Sequence, residues 1–171
     1  MTGITVRRVD WNHPDSEELR GQQRAELEIR YGTPDSEPGV APSAGDILVF
    51  FVAYVDEAAA GEAAAGDTGA GGSVAGSVAA GCGGLRQLDD TSGEIKRMFV
   101  TPTRRGTGVS VAVLRALEAD ARERGWTRLQ LETGTAQPEA VRFYEREGYT
   151  PIPRFGHYVH SELSLCFARD L

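Results

Sequence analysis

The chain has 171 residues, 40% of them apolar, with a formal net charge of −7. One domain over 1–171 is the default at this length, and it is long enough to bury a real core. The acidic balance argues against nucleic acid or an anionic membrane held by bulk charge, and no apolar run approaches the length that spans a bilayer. Cys82 and Cys166 are far apart and no signal-like stretch precedes them, so reduced thiols in a cytoplasmic protein are expected. Lys96 is the only lysine, which composition explains as a coding bias towards arginine.

Ile4 to Val9 alternates as a first strand does. Asn12, Pro14, Asp15 and Ser16 punctuate, and Asp15 or Ser16 is predicted to cap a helix from Glu17 to Tyr31. Its narrow stripe is Leu19, Gln23, Leu27 and Tyr31, four residues apart. Gly32-Thr33-Pro34 stops the helix, and Asp35 to Gly45 reads as a connector. Ile47 to Val55 is an apolar run and a buried strand. From Asp56 to Gly76 the chain is almost entirely alanine, glycine and acids, which predicts a mobile acidic loop at a hairpin tip. Ser77 to Leu88 is the returning strand, with glycines at 81, 83 and 84, and Asp89 to Gly93 turns it back.

The segment Glu94 to Gly108, EIKRMFVTPTRRGTG, organises the rest. It runs as a strand to Val100, since Pro102 disfavours helix just before it. Arginines and glycines follow, and then a helix from Thr107 to about Arg124, with Val109, Val113, Leu114, Leu117 and Ala121 at helical spacing and Gly125 as its stop. Free N–H groups at a helix start, beside small residues and an arginine, make an anion site. A P-loop needs Lys then Ser or Thr after its last glycine, whereas Val109 and Ser110 follow Gly108. A dinucleotide fingerprint needs a small residue where Val111 stands.

Thr127 to Glu132 is a further strand, parallel to the one at 94–100 because a helix connects them. Thr133 to Pro138 loops into a helix from Glu139 to Glu147, ended by Gly148. Tyr149 to Ile152 is a short strand, Pro153 to Tyr158 a turn-rich loop, and Ser161 to Ala168 the last strand. The sum is an α/β layer fold around one sheet.

Arg105-Gly106-Thr107-Gly108-Val109-Ser110 resembles the pyrophosphate loop of the GNAT N-acetyltransferases, Gln/Arg-x-x-Gly-x-Gly/Ala, with Ser110 departing from the usual Gly or Ala. Gln137 to Tyr149 is similar to a second signature of that family, Asn-x-x-Ala-x-x-Phe-Tyr-x-x-x-Gly-Phe. Ala140, Phe143, Tyr144 and Gly148 match it, while Gln137 and Tyr149 depart from its Asn and Phe. The resemblance covers about 45–150 and implies the GNAT fold, a central mixed, mostly antiparallel sheet with helices on both faces.

It further implies acetyl transfer from acetyl-CoA to an amine by direct attack, without a metal. An alkylamine has a pKa near 10.4, so losing its proton at neutral pH costs roughly 4 kcal/mol, and a carboxylate can take that proton. Glu94 aligns with a glutamate base of relatives, and Glu132 is the next carboxylate. Tyr144 matches the family's general acid for the departing thiolate. The resemblance places Met98, Phe99 and Val100 along the pantetheine arm, Arg105, Gly106, Thr107, Gly108, Val109 and Ser110 around the pyrophosphate, and Gln137 near either. It puts Tyr31 to Pro38 and Phe155-Gly156-His157-Tyr158 on the acceptor side, with Tyr31, Glu132 and Phe155 as candidate substrate contacts. Small-molecule and peptide amines both fit, and a homodimer is left open. The rival reading is a GNAT-fold module that binds acyl-CoA or a partner protein without catalysis.

His157 and His160 stand three apart in strand-like sequence, which puts them on opposite faces with no third ligand near, so no metal is expected. Cys82 lacks an activating partner in sequence and reads as packed, as do Trp11 and Trp126.

Overall fold

A computed structural model describes residues 3–33, 36–56 and 76–171. The predicted alanine and glycine loop therefore lies outside the described residues except at Asp56 and Gly76, and so do Pro34 and Asp35 of the earlier stop and connector.

Strand β2 (Ile47–Asp56) dictates the layering. It buries Val49, Ala53 and Val55 in one apolar cluster and Phe50, Val52 and Tyr54 in another. A strand with no solvent face needs a layer on each side. Helix α1 (Pro14–Tyr31) supplies one layer through Leu19. Helix α2 (Val109–Glu123) supplies the other through Val109, Val113, Leu114, Leu117 and Ala121, and helix α3 (Pro138–Arg146) joins it through Tyr144.

The remaining strands are β1 (Ile4–Val9), β3 (Ser77–Gln87), β4 (Ser92–Val100), β5 (Arg128–Gly134), β6 (Thr150–Ile152) and β7 (Ser164–Asp170). They form one sheet in the order β1-β2-β3-β4-β5-β7-β6. Every neighbouring pair is antiparallel except β4 and β5, which are parallel, as a connection through α2 requires. The mixed, mostly antiparallel sheet with helices on both faces is thus present.

The boundaries differ from the sequence reading where local chemistry decides. Helix α1 starts at Pro14, not Glu17. His13 is its cap, its Nδ1 accepting the Asp15 N–H at 3.2 Å, and Pro14 takes the first helical position. Neither predicted cap acts as one: the Asp15 carboxylate accepts from the Tyr54 hydroxyl at 2.6 Å, and Ser16 Oγ donates to Trp11 O at 2.8 Å. Helix α2 starts at Val109 because Gly108, at φ 92°, is left-handed. A 3₁₀ turn at Pro102–Arg104 precedes it. Strand β7 starts at Ser164, not Ser161, since Ser164 N–H bonds Ser161 O in a turn.

One irregularity shapes the functional end of the sheet. Against β3, Phe99 pairs with Cys82 but Lys96 pairs with Gly84, so β4 carries an extra residue there. Arg97 within that bulge has φ 57°, a conformation that L-residues other than glycine rarely adopt. A bulge bends its strand and increases the local twist. On the other side, pairing of β4 with β5 runs from Ser92–Arg128 to Ile95–Leu131 and ends, although both strands continue. Beyond Ile95 the two parallel strands part, and the cavities lie in the wedge.

The paired end of the wedge is held by close packing. A Cβ added at Gly93 would run into the Trp126 ring, which is itself buried. Gly93→Ala should therefore destabilise the fold by about 1–3 kcal/mol through overpacking, read as a lowered urea midpoint with an unchanged slope.

Candidate active site

Two cavities fill the wedge. The outer cleft, of about 550 Å³, lies between α1, the end of β4, the glycine turn and α3. The inner chamber, of about 100 Å³, lies between the diverging strands. Gln23, Leu27, Met98, Gln137, Ala140 and Tyr144 border both. The stripe on α1 is therefore only partly a core stripe. Leu19 packs against the sheet, while Gln23, Leu27 and Tyr31 line the chamber. A glutamine in an apolar stripe was the available sign of this.

The glycine turn closes one end of the cleft. Gly106 and Gly108 have φ 75° and 92°, and no protein atom lies within 3.4 Å of a Cβ built on either. The first helical bond of α2 runs from Ala112 N–H to Gly108 O, at 3.0 Å. The N–H groups of Val109, Ser110 and Val111 therefore have no carbonyl within the helix to donate to. Arg105 is fixed by its Nε donating to Val100 O at 3.1 Å and by its Nη2 on Glu26 Oε2 at 2.5 Å.

Of the residues that sequence placed around a cofactor, Met98, Phe99, Val100, Arg105, Gly106, Gly108, Ser110 and Gln137 border this cleft. Thr107 and Val109 do not. The Thr107 hydroxyl turns back to Arg104 O at 2.6 Å, and Val109 is buried in the core.

Tyr144 borders both cavities, 6% exposed, edge-on to Phe143 and Tyr149 at 5.1 and 5.7 Å. Burial, and then the charge of Glu132, push its hydroxyl pKa up, so it is a protonated phenol at neutral pH.

The chamber holds a charged cluster that the sequence only partly signals. Glu94 and Lys96 are two apart in β4 and so share a face, 2% and 4% exposed. Tyr158 OH lies 2.6 Å from Glu94 Oε1 and 2.7 Å from Glu37 Oε1, and it accepts from Lys96 Nζ at 2.7 Å. Lys96 Nζ is also 3.4 Å from Glu94 Oε1 and pairs directly with Glu37. Arg97 Nη2 stands 3.7 Å from Glu37 Oε2, and Arg86 Nη1 stands 3.5 Å from Glu94 Oε2.

Burial dominates the titration of this cluster. It raises the Glu94 carboxyl above its ordinary range, against the Tyr158 hydrogen bond and Arg86, and it raises Glu132. It lowers Lys96 to about 7, against the charge of Glu132. The lone lysine is thus a chamber residue, and its position two after Glu94 in a strand was the usable sign.

Glu132 and Tyr31 line the chamber, and Tyr31 OH accepts the Ala136 N–H at 3.0 Å. Glu94 sits behind Lys96 and Tyr158 and does not itself border the chamber. Phe155 borders neither cavity and packs edge-on against Tyr158 at 5.3 Å. His157 belongs to a 3₁₀ turn, Gly156–Tyr158, and His160 to the turn after it, so the strand-like reading of that pair is wrong. Cys82 is buried and burial pushes its thiol up to about 12, which makes it a packed residue rather than a nucleophile.

The family model described as Acetyltransferase (GNAT) family matches residues 49–149. The chain belongs to the GNAT acetyltransferase family. A protein named IAA acetyltransferase from Azospirillum brasilense is 37% identical over 92 residues, 53% of this chain and 60% of that protein. The N-acetyltransferase YsnE of Bacillus subtilis is 35% identical over 94 residues, 54% of this chain and 62% of its own length. The chain thus spans under two thirds of the curated relatives it matches. Among solved structures, an acyl-CoA N-acyltransferase from Klebsiella pneumoniae superposes with TM-score 0.73 and 25% identity, covering 98% and 97% of the two chains. A GNAT acetyltransferase from Elizabethkingia anophelis with acetyl-CoA bound shares the fold at TM-score 0.63 and 14% identity, covering 98% of each chain.

The residues present fit the CoA thioester this family uses. The glycine turn leaves room and N–H groups for a diphosphate. The buried Gln23 Oε1 has no hydrogen-bond partner among the described residues, while its Nε2 donates to Met98 O at 2.9 Å. A buried amide oxygen facing a cleft is suited to an N–H donor such as a pantetheine amide. Gly108→Asp should abolish acetyl-CoA binding in calorimetry, because it adds bulk and like charge where the diphosphate would sit. Retained affinity would move the anion site elsewhere.

Proposed function

We propose that the protein is an acetyl-CoA-dependent N-acetyltransferase, one domain over 1–171, acting on a small-molecule or peptide amine by direct attack. The observation that carries this reading is the position of Tyr144, which separates a cleft ending in a glycine turn from a chamber lined with proton acceptors. Bound acetyl-CoA would supply the activated acetyl group. The chain's own residues then have three tasks.

The cleft holds the thioester through the β4 edge, Gln23, Gln137, Arg105 and the glycine turn. The chamber takes a proton from the acceptor ammonium. Lys96 borders the chamber and Tyr158 OH bridges to Glu94, so the proton reaches the Glu94 carboxylate along that chain. Glu132, on the neighbouring strand, is the second acceptor. The freed amine forms its bond to the acetyl carbon as the carbon–sulfur bond breaks, Tyr144 donates its hydroxyl proton to the departing sulfur, and the second proton lost by the nitrogen restores the Tyr144 hydroxyl. A phenol kept protonated by burial is a suitable donor to a thiolate.

No described helix is long and apolar enough to cross a membrane. Both cysteines are free and buried, which supports a reducing, cytoplasmic setting.

Two variants separate the roles. Tyr144→Phe should keep acetyl-CoA affinity and lower kcat by about tenfold or more, and an unchanged kcat would remove the acid assignment. Glu94→Gln should cost about 10²-fold or more in kcat/KM at neutral pH. In the parent protein kcat/KM should rise with pH through the raised Glu94 pKa, since only the carboxylate accepts a proton, and the variant should lose that limb.

A further inference from the structure

The acceptor chamber already contains an amine. Lys96, the only lysine of the chain, is 4% exposed and borders the chamber together with Met98 and Tyr144, which border the cleft as well. With about 100 Å³ between its walls, a thioester whose sulfur lies at Tyr144 shares one small space with the Lys96 side chain. Nothing has to leave for the two to meet, because this nucleophile is part of the wall.

The groups around the amine are those an attacking nitrogen needs. Lys96 Nζ donates to Tyr158 OH at 2.7 Å, and that hydroxyl lies 2.6 Å from Glu94 Oε1. The proton path to Glu94 therefore begins at the chain's own amine. Glu94 Oε1 also lies 3.4 Å from Nζ directly, and Glu37 pairs with it. These carboxylates, with Glu132 and the Cys166 thiol, favour the ammonium, while burial and Arg97 oppose it. Burial is the largest of these effects and brings the amine to about 7. At neutral pH a substantial share of Lys96 thus carries a free lone pair while it stays among its partners, as a nucleophilic lysine requires.

We propose, resting on the acetyltransferase reading, that Lys96 is a self-acetylation site: with acetyl-CoA bound and no acceptor in the chamber, the chain acetylates its own lysine once. The ammonium proton passes by way of the Tyr158 hydroxyl to the Glu94 carboxylate. The Nζ lone pair then forms a bond to the acetyl carbon, the carbon–sulfur bond breaks, and the sulfur takes the Tyr144 proton. The second proton lost by Nζ restores the Tyr144 hydroxyl. Acetyl-CoA and the lysine give CoA and Nε-acetyl-lysine, and no further reactant is needed. The acetylated nitrogen is a neutral amide, and its acetyl group takes up volume that an acceptor would use.

The test incubates the full chain with acetyl-CoA alone and follows its intact mass. One acetyl mass per chain should appear with one equivalent of CoA released, and peptide mapping should place it on Lys96. The competing amine is the chain N-terminus, which the same map resolves. Desulfo-CoA, which fills the cleft and carries no acetyl, should slow labelling about tenfold at about tenfold excess over acetyl-CoA, as competition for one site requires. The rate should rise with pH and level off above about 7, because only the neutral amine attacks. An unmodified Lys96, an acetyl on the N-terminus alone, or labelling indifferent to desulfo-CoA overturns the site. So does a rate that keeps climbing towards the ordinary lysine range near 10.4. Calorimetry on the parent protein is separate: acetyl-CoA bound with Lys96 unmodified removes this inference alone, and no binding removes the enzyme reading itself.

Discussion

The site depends on one backbone event, the bulge in β4 at Arg97. Up to Ile95 the strand is held on both sides, by β3 and by β5. Two residues later the extra position and the left-handed Arg97 turn it away from β5. A parallel sheet that stayed paired would have no interior cavity there. Its side chains would interdigitate with the helix layers, as they do between β2 and α2. A non-glycine residue at positive φ costs of order 1–3 kcal/mol, and the surrounding structure has to impose it. Four β4–β5 pairs below it and continued β3 pairing above it do so. The same bulge sets Lys96 and Arg97 side by side on the chamber, which a regular strand would point to opposite faces.

Burial then decides the chemistry of what the wedge encloses. In water Glu94 and Lys96 would be a fully ionised pair. In the chamber burial moves the carboxyl up and lowers the amine to about 7. Tyr158 OH lies between them, 2.6 Å from Glu94 Oε1 and 2.7 Å from Lys96 Nζ. Tyr144 is moved in the opposite sense to what a base would need, since burial holds its proton on. One physical cause, loss of water, thus raises the carboxyls of Glu94 and Glu132 and holds the Tyr144 proton on.

Much of this was legible in the chain. The alternation of Ile4–Val9, the two-sided apolar run at Ile47, the glycine turn and the helical spacing after Val109 are local signals, and local physics fixes those elements. Three features resisted. His13 caps α1 through a ring nitrogen, a use that helix-start preferences rank below Asp15 or Ser16. The bulge leaves no compositional mark, because Arg97 is not the residue a left-handed position advertises. The chamber cluster draws on Glu37, Glu94, Lys96 and Tyr158, which are scattered over some 120 positions and meet only through sheet order. Sequence pattern finds Glu94 and Tyr144 by their motifs, but it cannot show that Glu94 lies behind Lys96, because that is a matter of side-chain depth.

Two cations that border the cavities, Arg105 and Lys96, carry carboxylates of the chain, and the two pairs differ in exposure. Arg105 pairs with Glu26 at the mouth of the cleft, with side chains 39% and 28% exposed, where an ion pair is worth about 0–1 kcal/mol. Such a pair is exchanged for another anion at little cost. Lys96 is 4% exposed, and its pair with Glu37 lies where water screens poorly. Without Glu37, Lys96 would rely on Glu94, 3.4 Å away and itself buried. Breaking the pair therefore costs little at the solvent-facing arginine and more at the dry lysine.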